Sequence, residues 1–597
     1  MQELFSALSL WLSAHPLITG WYTAIARLLF PVLSALILVR AIRSLLRIPH
    51  TPEVWAQLSL PGGGSIPLTH WENILGRGKS ADAILNYPSI SRQHAALCRG
   101  EDGAWTVYDL GSKGGTAVNG TPVTEQAPLK LGDTLTLGGV PLVFLPQTVG
   151  EREELEKKRQ AERPAAMWPS FLWLTVFQIL TAIQLTLAAG EKASSVIPIC
   201  FLTLTVVMWL YAAALRLGRC VGFELETIAF YLSTLSLAVT ASSAPGSLPK
   251  QLLAIVLGMG LFLALGLFLR DLERVKKRRW LMAAGAIGLL GITLVLGKAK
   301  FGATNWVTLG GISFQPSEIA KICYIFAGSA TLERLFHRRN LALFIVLTGV
   351  CIGLLGLMSD FGTAAIFFVT FLVIAYLRSG DAATLALICG GAAFGAGIIV
   401  QFKPYILSRF AAWGHAWEAA SGSGYQQTRT MSAAASGGLF GMGAGNGWLE
   451  RIPAGDTDLV FGMLCEEWGL VIALLAVACI LTLAWFAVRA SRTGRSSFYT
   501  IAACAAGSLL VFQTSLNVFG SVDLLPLTGV TFPFVSNGGS AMLSAWGLLA
   551  YLKAMDTRAD ASFAIGRAAE RKLDEEAARK AAPAEDAFEK EDGHAED

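Results

Sequence analysis

The residues best suited to chemistry lie in the segment 424–470, GYQQTRTMSAAASGGLFGMGAGNGWLERIPAGDTDLVFGMLCEEWGL, where the carboxylates Asp456 and Asp458 end a polar, Gly-rich stretch and an apolar run begins. A carboxylate at the mouth of an apolar helix can take a proton from a hydroxyl, and it can equally serve as the N-cap of that helix. If Asp456 points the same way as Asp458, mutual repulsion raises the proton affinity of one of them, which suits a base working near neutral pH; if it faces water it contributes nothing. Glu466 and Glu467 follow in the apolar run, ~12–14 Å deeper if the helix is continuous, where they could act chemically or pair helices. Glu318 and Lys321 stand one helical turn apart on one face. A charged pair in lipid is costly enough to read as functional, with a structural ion pair as the alternative. Lys403, Arg409, Arg429 and Arg451 are the other cations of this group. Ser436, Gly437 and Gly438, and Ser536, Gly538, Gly539 and Ser540, read either as places where backbone approaches a bulky ligand or as small-residue helix packing.

These residues need elements to hold them, and composition fixes what kind. With 53% hydrophobic and 15% charged residues over 597 positions and a mean hydropathy of +0.53, the chain is a polytopic α-helical membrane protein. About thirteen apolar segments are long enough to span ~30 Å of hydrocarbon: 20–42, 168–189, 195–216, 223–242, 251–270, 280–298, 318–337, 341–358, 360–378, 383–402, 459–487, 498–519 and 540–554. The basic clusters RAIRSLLR (40–47), DLERVKKRR (271–279), FHRRN (336–340) and VRASRTGR (488–495) fall on one side, which the positive-inside rule makes cytoplasmic. Residues 48–167 and the tail after 555 are then inside, and 403–458 is a long outside loop. The first segment reads as an anchor rather than a cleaved signal. The net charge of +4 reports topology and argues against nucleic-acid binding. Nine cysteines without C-x-x-C spacing indicate neither disulfides nor a zinc site. The Ala-, Glu- and Lys-rich tail 556–597 reads as a solvated helix or as disordered.

Between the first two spans, short alternating stretches broken by Gly and Pro, namely WAQLSL (55–60), WENILGRG (71–78), HAALCRG (94–100), WTVYDLGS (105–112), DTLTLG (133–138) and VPLVFLP (140–146), predict a small all-β sandwich. GRG at 76–78, SISRQHAAL (89–97), VYDLGSKGGTAVNG (107–120) and LKLGDTLTLGG (129–139) resemble a forkhead-associated (FHA) domain. That resemblance implies binding of phosphothreonine peptides, with Arg77, Ser91, Arg92 and Ser112 at the phosphate and peptide and His94 bracing the loop from behind. An Arg guanidinium and a hydroxyl on adjacent loops supply charge-assisted hydrogen bonds to a phosphate. The family's usual Asn before Gly-Thr is Gly114 here, and Asn119 reads as a turn residue.

GATNWVTLGGISFQPSEIAK (302–321), SDFGTAAIFF (359–368), SGGLFGMG with IPAGDTDLVFG (436–443 and 452–462), and LLPLTGVTFPFVSNGGS (524–540) together resemble, in order, the shape, elongation, division and sporulation family of FtsW, RodA and SpoVE. The resemblance implies a ten-helix core over roughly 223–554 and a glycosyltransferase that joins lipid II units outside the cytoplasmic membrane beside a class B penicillin-binding transpeptidase. It implies Asp458 as the catalytic acid residue. It also implies substrate-facing positions at Trp306, Gln315, Ser317, Glu318 and Lys321, at Asp360, at Ser436, Gly437, Gly438 and Arg451, and at Ser536, Gly538, Gly539 and Ser540. No cofactor is evident, though a divalent cation could assist the pyrophosphate. Three positions depart from the family pattern: Asp456 replaces a His, Asn305 an Arg, and Asn537 a Tyr.

The expected organisation is an anchor over 1–48, an FHA domain over 49–150, a charged linker over 151–167, extra spans over 168–222, a glycosyltransferase core over 223–555 and a tail over 556–597. A cellular Ser/Thr kinase would write the mark that the FHA domain reads. The rival readings are a lipid II flippase, which should tolerate loss of one outside carboxylate, and an inactive cell-wall scaffold.

Overall fold

The computed structural model describes all residues except 1–14, 48–49, 79–80, 101, 191–193, 301–302, 310–311, 331–337, 380–382, 384, 392, 394–396, 398–412 and 566–597. Among the described residues, nine helices are long and apolar enough to cross a membrane. They include α1 (Pro16–Ile42), α3 (Met167–Ala189), α4 (Val196–Leu217), α5 (Glu224–Ser243), α6 (Leu248–Phe268) and α7 (Leu272–Leu296), α2 being the Val149–Ala161 helix, closed by a Thr148/Glu151 capping box. The others are α10 (Phe361–Ser379), α13 (Leu470–Ala490) and α14 (Ser497–Ser521). Three further expected spans coincide with the apolar helices α8 (Pro316–Ala330), α9 (Arg338–Leu357) and α15 (Gly539–Met555). Half of the expected span 383–402 lies outside the described residues, so the count of thirteen is not confirmed.

Two expectations are corrected. The span 459–487 is not one helix: α12 (Val460–Trp468) stops at Gly469, whose φ of 86° no L-residue adopts easily, and α13 starts anew. The tail does not begin as a solvated segment. Residues 556–565 are mostly buried, and Arg558 pairs with Asp556 (2.8 Å) and Glu224 (3.2 Å) while donating to the Ser44 carbonyl (3.1 Å). α5 explains that arrangement. It is buried along nearly its whole length and carries Glu224 and Glu226 in its first turn, where the helix dipole favours negative charge. Each acid then finds a cation, Glu226 at 2.8 Å from Lys553. The extra helices α1, α3 and α4 pack on one another and against α5, α6 and α13.

The insert between α1 and α2 is the expected sandwich of two sheets, one of six strands that pairs Ala56–Ser59 with Ser65–Leu68 and with Val140–Leu145, and one of five strands in which Glu72–Gly76, Ala95–Arg99 and Trp105–Asp109 are neighbours. The strands that matter here are β3 (Glu72–Gly76), β5 (Ala95–Arg99), β6 (Trp105–Asp109) and β11 (Val140–Leu145). Alternate residues such as Leu75, Leu97, Val107, Leu142 and Phe144 fill the core. Its docking onto the helices is polar and specific. Arg495, in the turn before α14, holds Glu53 through Nε (2.5 Å) and Nη2 (2.9 Å), and Arg159 holds the same carboxylate at 2.6 Å. Trp71 N–H donates to the Arg495 carbonyl (2.6 Å). Glu72 accepts from Ser496 Oγ (2.9 Å) and Ser497 N–H (3.0 Å), so a strand of the sandwich completes the cap of α14. A three-stranded sheet, β12 (Lys298–Lys300), β13 (Ala303–Leu309) and β14 (Ile312–Phe314), stands between α7 and α8.

Burial pushes the Glu53 carboxyl up, but Arg495 and Arg159 more than offset this and bring it down to about 2. A depressed acid contributes stability that is complete above its unfolded value and is lost as pH falls through the folded one, so this contact should hold until about pH 4.5 and fail towards about 2. Hydrogen exchange at 53–60 and 494–499 across that range should follow the loss, and Arg495→Gln, which leaves only Arg159 on the carboxylate, should move the transition to higher pH. Arg558→Ala leaves Glu224 and Asp556 buried without that cation and should cost ~3–5 kcal/mol. Lys158→Ala, which removes an exposed pair with Glu154, should cost under ~0.5 kcal/mol. Unfolding temperatures in detergent compare the two.

Candidate active site

The Pro- and Gly-rich segment 524–540 folds back into the bundle and touches each of the other three motifs. Ser536 Oγ donates to the Thr457 carbonyl (2.7 Å) and accepts from Phe532 N–H (2.8 Å). Asn537 N–H donates to the Asp456 carbonyl (2.9 Å), and its Nδ2 to Asp456 Oδ2 (2.7 Å), an oxygen that also accepts from Ser243 Oγ (3.0 Å). Asp456 is therefore not a loose surface acid, because its carboxylate is a bridge between α5 and the 537 turn. A Cβ at Gly529, where φ is 71°, would stand 3.4 Å from Asp458 Oδ2. Asp458 is half-buried. It is not the helix cap: that position is Leu459, without a side-chain hydrogen bond, and Asp458 N–H donates to the Ala454 carbonyl at 3.1 Å.

On the other side of the segment, Gln315 N–H donates to Ser540 Oγ (2.9 Å). Asp360 caps α10 through Thr363 N–H (3.1 Å), and its other oxygen accepts from Asn305 Nδ2 (3.1 Å) and, at 3.5 Å, from Gln315 Nε2. Ser544 Oγ donates to the Glu318 carbonyl (3.0 Å). Lys321 is 1% exposed and donates to Glu318 Oε1 (2.7 Å) and Gln513 Oε1 (3.0 Å). This ion pair lies inside the bundle, so Lys321 and Glu318 reach a substrate only through the groups around them. Ser317 is also fully buried, and its Oγ lacks a hydrogen-bond partner among the described residues. Trp306 lies on β13, half-buried. Gly538 caps α15 with extended backbone, and Gly539 begins the helix.

The third motif divides in two. α11 (Tyr425–Gly437) packs on α12. Gly437 and Gly441 lie so close to the α12 backbone at Cys465–Glu467 that no side chain fits, and Gly441 also has φ 78°. Packing therefore accounts for Gly437, whereas Ser436 and Gly438 are exposed. Glu466 accepts from Trp448 N–H (2.9 Å) and Leu449 N–H (3.0 Å), and Glu467 from Gly445 N–H (2.9 Å) and Ser242 Oγ (2.5 Å). Both acids thus fold the loop onto α12. Arg451 is exposed on this loop, and Arg429 is exposed on α11, where it lies over the Tyr425 ring. Lys403 and Arg409 lie outside the described residues. No group of three or more His, Cys, Asp or Glu residues stands together among the described residues.

In the sandwich, Arg77 follows β3 and is exposed, as is Arg92. Ser91 Oγ accepts from Lys113 N–H (3.1 Å), drawing two loops together. His94 is fully buried; its Nδ1 accepts from Ser91 N–H (3.1 Å), which leaves Nε2 to donate to the Gly115 carbonyl (3.0 Å). Ser112 Oγ (2.7 Å) and Thr116 Oγ1 (2.6 Å) donate to Asp109, whose carboxyl they hold below the usual range despite the opposing effect of burial. Gly114 has no room for the family's Asn, since a Cβ there would stand 2.7 Å from Gly138 Cα and 3.0 Å from the Ser89 carbonyl. Asn119 bridges Asp133 and Thr134 with φ 49°, a turn role.

Sequence reasoning missed Gln513, Asn517 and Ser243. Asn517 Nδ2 donates to the carbonyls of Asp458 (2.9 Å) and Val530 (2.8 Å), and Gln513 Nε2 to Thr531 O (3.0 Å). For Gln513 and Asn517 the signal was available: two carboxamides one turn apart on a membrane-spanning helix, polar groups that lipid would penalise unless satisfied.

Residues 221–560 match the FtsW/RodA/SpoVE family of cell cycle proteins, and residues 73–138 match the FHA domain. Among curated relatives, a probable peptidoglycan glycosyltransferase FtsW of Tolumonas auensis is 34% identical over 331 residues, 53% of this chain and 85% of its own length. The peptidoglycan glycosyltransferase RodA of Mycobacterium tuberculosis H37Rv is 30% identical over 327 residues, 51% of this chain and 69% of its own. A solved chain from a peptidoglycan synthase complex that coordinates polymerization and crosslinking is 26% identical, with 56% of this chain and 98% of that one covered and a TM-score of 0.47. The chain belongs to the FtsW/RodA/SpoVE family, with an FHA domain carried between α1 and α3.

Proposed function

We propose that this protein is a peptidoglycan glycosyltransferase that polymerises lipid II, with Asp458 as the general base. One observation carries the reading: Asp458 stands half-buried at the head of α12, beside the folded-back segment that ties the four motifs together. In the step itself, the carboxylate takes the proton of an acceptor sugar hydroxyl as its oxygen attacks the donor's anomeric carbon, and the pyrophosphate leaves with the bonding pair. Pyrophosphate is a good leaving group, so a second carboxyl serving as acid is not required, unlike in glycosidases. The exposed Arg451 and Arg429 supply positive charge for the departing anion. Lys321, held by Glu318 and Gln513, contributes from within the bundle.

The positive-inside pattern supports a cytoplasmic sandwich and an extracytoplasmic Asp458. On that side a class B penicillin-binding transpeptidase would crosslink the glycan. The sandwich would bind a phosphothreonine protein marked by a Ser/Thr kinase, with Arg77, Arg92 and the Ser91 loop at the phosphate.

Purified full-length protein with a class B transpeptidase should make glycan chains from lipid II, and Asp458→Asn should lower turnover at least ~100-fold. Asp456→Asn keeps an acceptor for Asn537 and Ser243 and should cost under ~10-fold; an equal loss in both variants would assign the base to the pair. Absence of product from folded wild type would overturn the reading. A phosphothreonine peptide should bind the full-length protein, its unphosphorylated form should not, and Arg77→Ala should weaken binding ~10–100-fold by removing a charge-assisted contact. Calorimetry measures each.

A further inference from the structure

We propose that Asn517 is a positioning residue for Asp458, acting through the main chain that carries the carboxylate; the inference rests on the reading of Asp458 as the base. Asn517 is 1% exposed, and both hydrogens of its Nδ2 are used, one on the Asp458 carbonyl and one on the Val530 carbonyl. A single carboxamide thus joins the strand of chain that presents Asp458 to the turn that packs against it. Both of those segments contain backbone in the left-handed region: Ala454, φ 62°, and Gly529, φ 71°. For Ala that conformation costs ~1–2 kcal/mol. The Ala454 carbonyl accepts the N–H groups of Thr457, Asp458 and Leu459, so the local turn that aims Asp458 is built on a strained residue and needs an external tie.

The two donated bonds fix where two carbonyls lie. Gln513, one turn earlier on α14, does the corresponding work for the buried pair: it accepts from Lys321 and donates to Thr531. One face of one helix therefore sets the register of Asp458, Lys321 and the folded-back segment together. α14 is suited to this, being 25 residues long, ~37 Å, and capped at its far end by Glu72 of the sandwich. Proton transfer demands close geometry, and a shift of ~1 Å can cost ~100-fold.

The test compares wild type, Asn517→Leu, Asn517→Ser, Thr514→Val and Asp458→Asn as full-length proteins with the transpeptidase, measuring kcat and KM for lipid II and the unfolding temperature. Asn517→Leu should lower kcat ~30–100-fold with KM within about twofold, the signature of an interaction that matters in the transition state. Thr514→Val, on the same helix but, among the described residues, bonded through its hydroxyl only to Leu510 O, should leave kcat and KM unchanged. If the leucine variant does not fold, the serine variant decides: a drop in kcat of at least about tenfold at unchanged KM upholds the proposal. A folded Asn517 variant with kcat within about threefold of wild type overturns it, as does a loss matched by an equal loss of folded protein. Activity in Asp458→Asn would instead sink the base assignment, which separates the two failures.

Discussion

The constraint on which the rest of this structure depends is that an ionised side chain taken into an apolar bundle must bring its partner. Lipid is as apolar as leucine, so hydrophobic burial does little to choose among helix arrangements, whereas an uncompensated buried charge costs several kcal/mol. Glu224 with Arg558, Glu226 with Lys553 and Glu318 with Lys321 meet that demand, and two of those three pairs join opposite ends of the family region. Glu466 and Glu467 meet it with backbone N–H groups, which bends a Gly-rich loop onto a short helix and delivers Asp458 to its place. Charge, more than apolar contact, thus specifies which helices meet.

What was legible in the sequence was what has a period or an ordered motif. The spans, the sandwich and its strands from 71 to 145, and the four family motifs all carry local signals, and the structure brings those motifs to one segment. What was not legible depends on contacts between distant residues. The break at Gly469 looks like one glycine in an apolar run until Leu439, Phe440 and Gly441 are seen against it. Residues 556–565 look solvated by composition, yet Gly222 and Gly266 leave space for Ala561 and Phe563. The choice for Asp456 between facing Asp458 and facing water omitted the outcome found, a bridge to Ser243 and Asn537, because both partners are remote in sequence.

The departures from the family pattern become intelligible as halves of contacts. Asp456 and Asn537, each unusual alone, hydrogen-bond to one another. Asn305 donates to Asp360, which connects β13 to the head of α10. Gly114 is matched by Gly138, whose φ of 56° and contact with the Ser89 carbonyl leave no volume for an asparagine.

The seats occupied by Arg495 and Arg558 carry a consequence for biosynthesis. Glu53 and Arg495 are 442 residues apart, and Ser44 and Arg558 are 514 apart. At ~5–20 residues per second, a ribosome delivers the first partner of the Glu53 pair roughly 20–90 s before the second. Throughout that interval Glu53 has only Arg159, 106 residues on, to neutralise it, and the Ser44 carbonyl lacks the Arg558 guanidinium that will donate to it. The order of translation therefore dictates the order in which stability is acquired: early elements wait, hydrated or provisionally held, and the bundle locks only when its late-arriving cations are made.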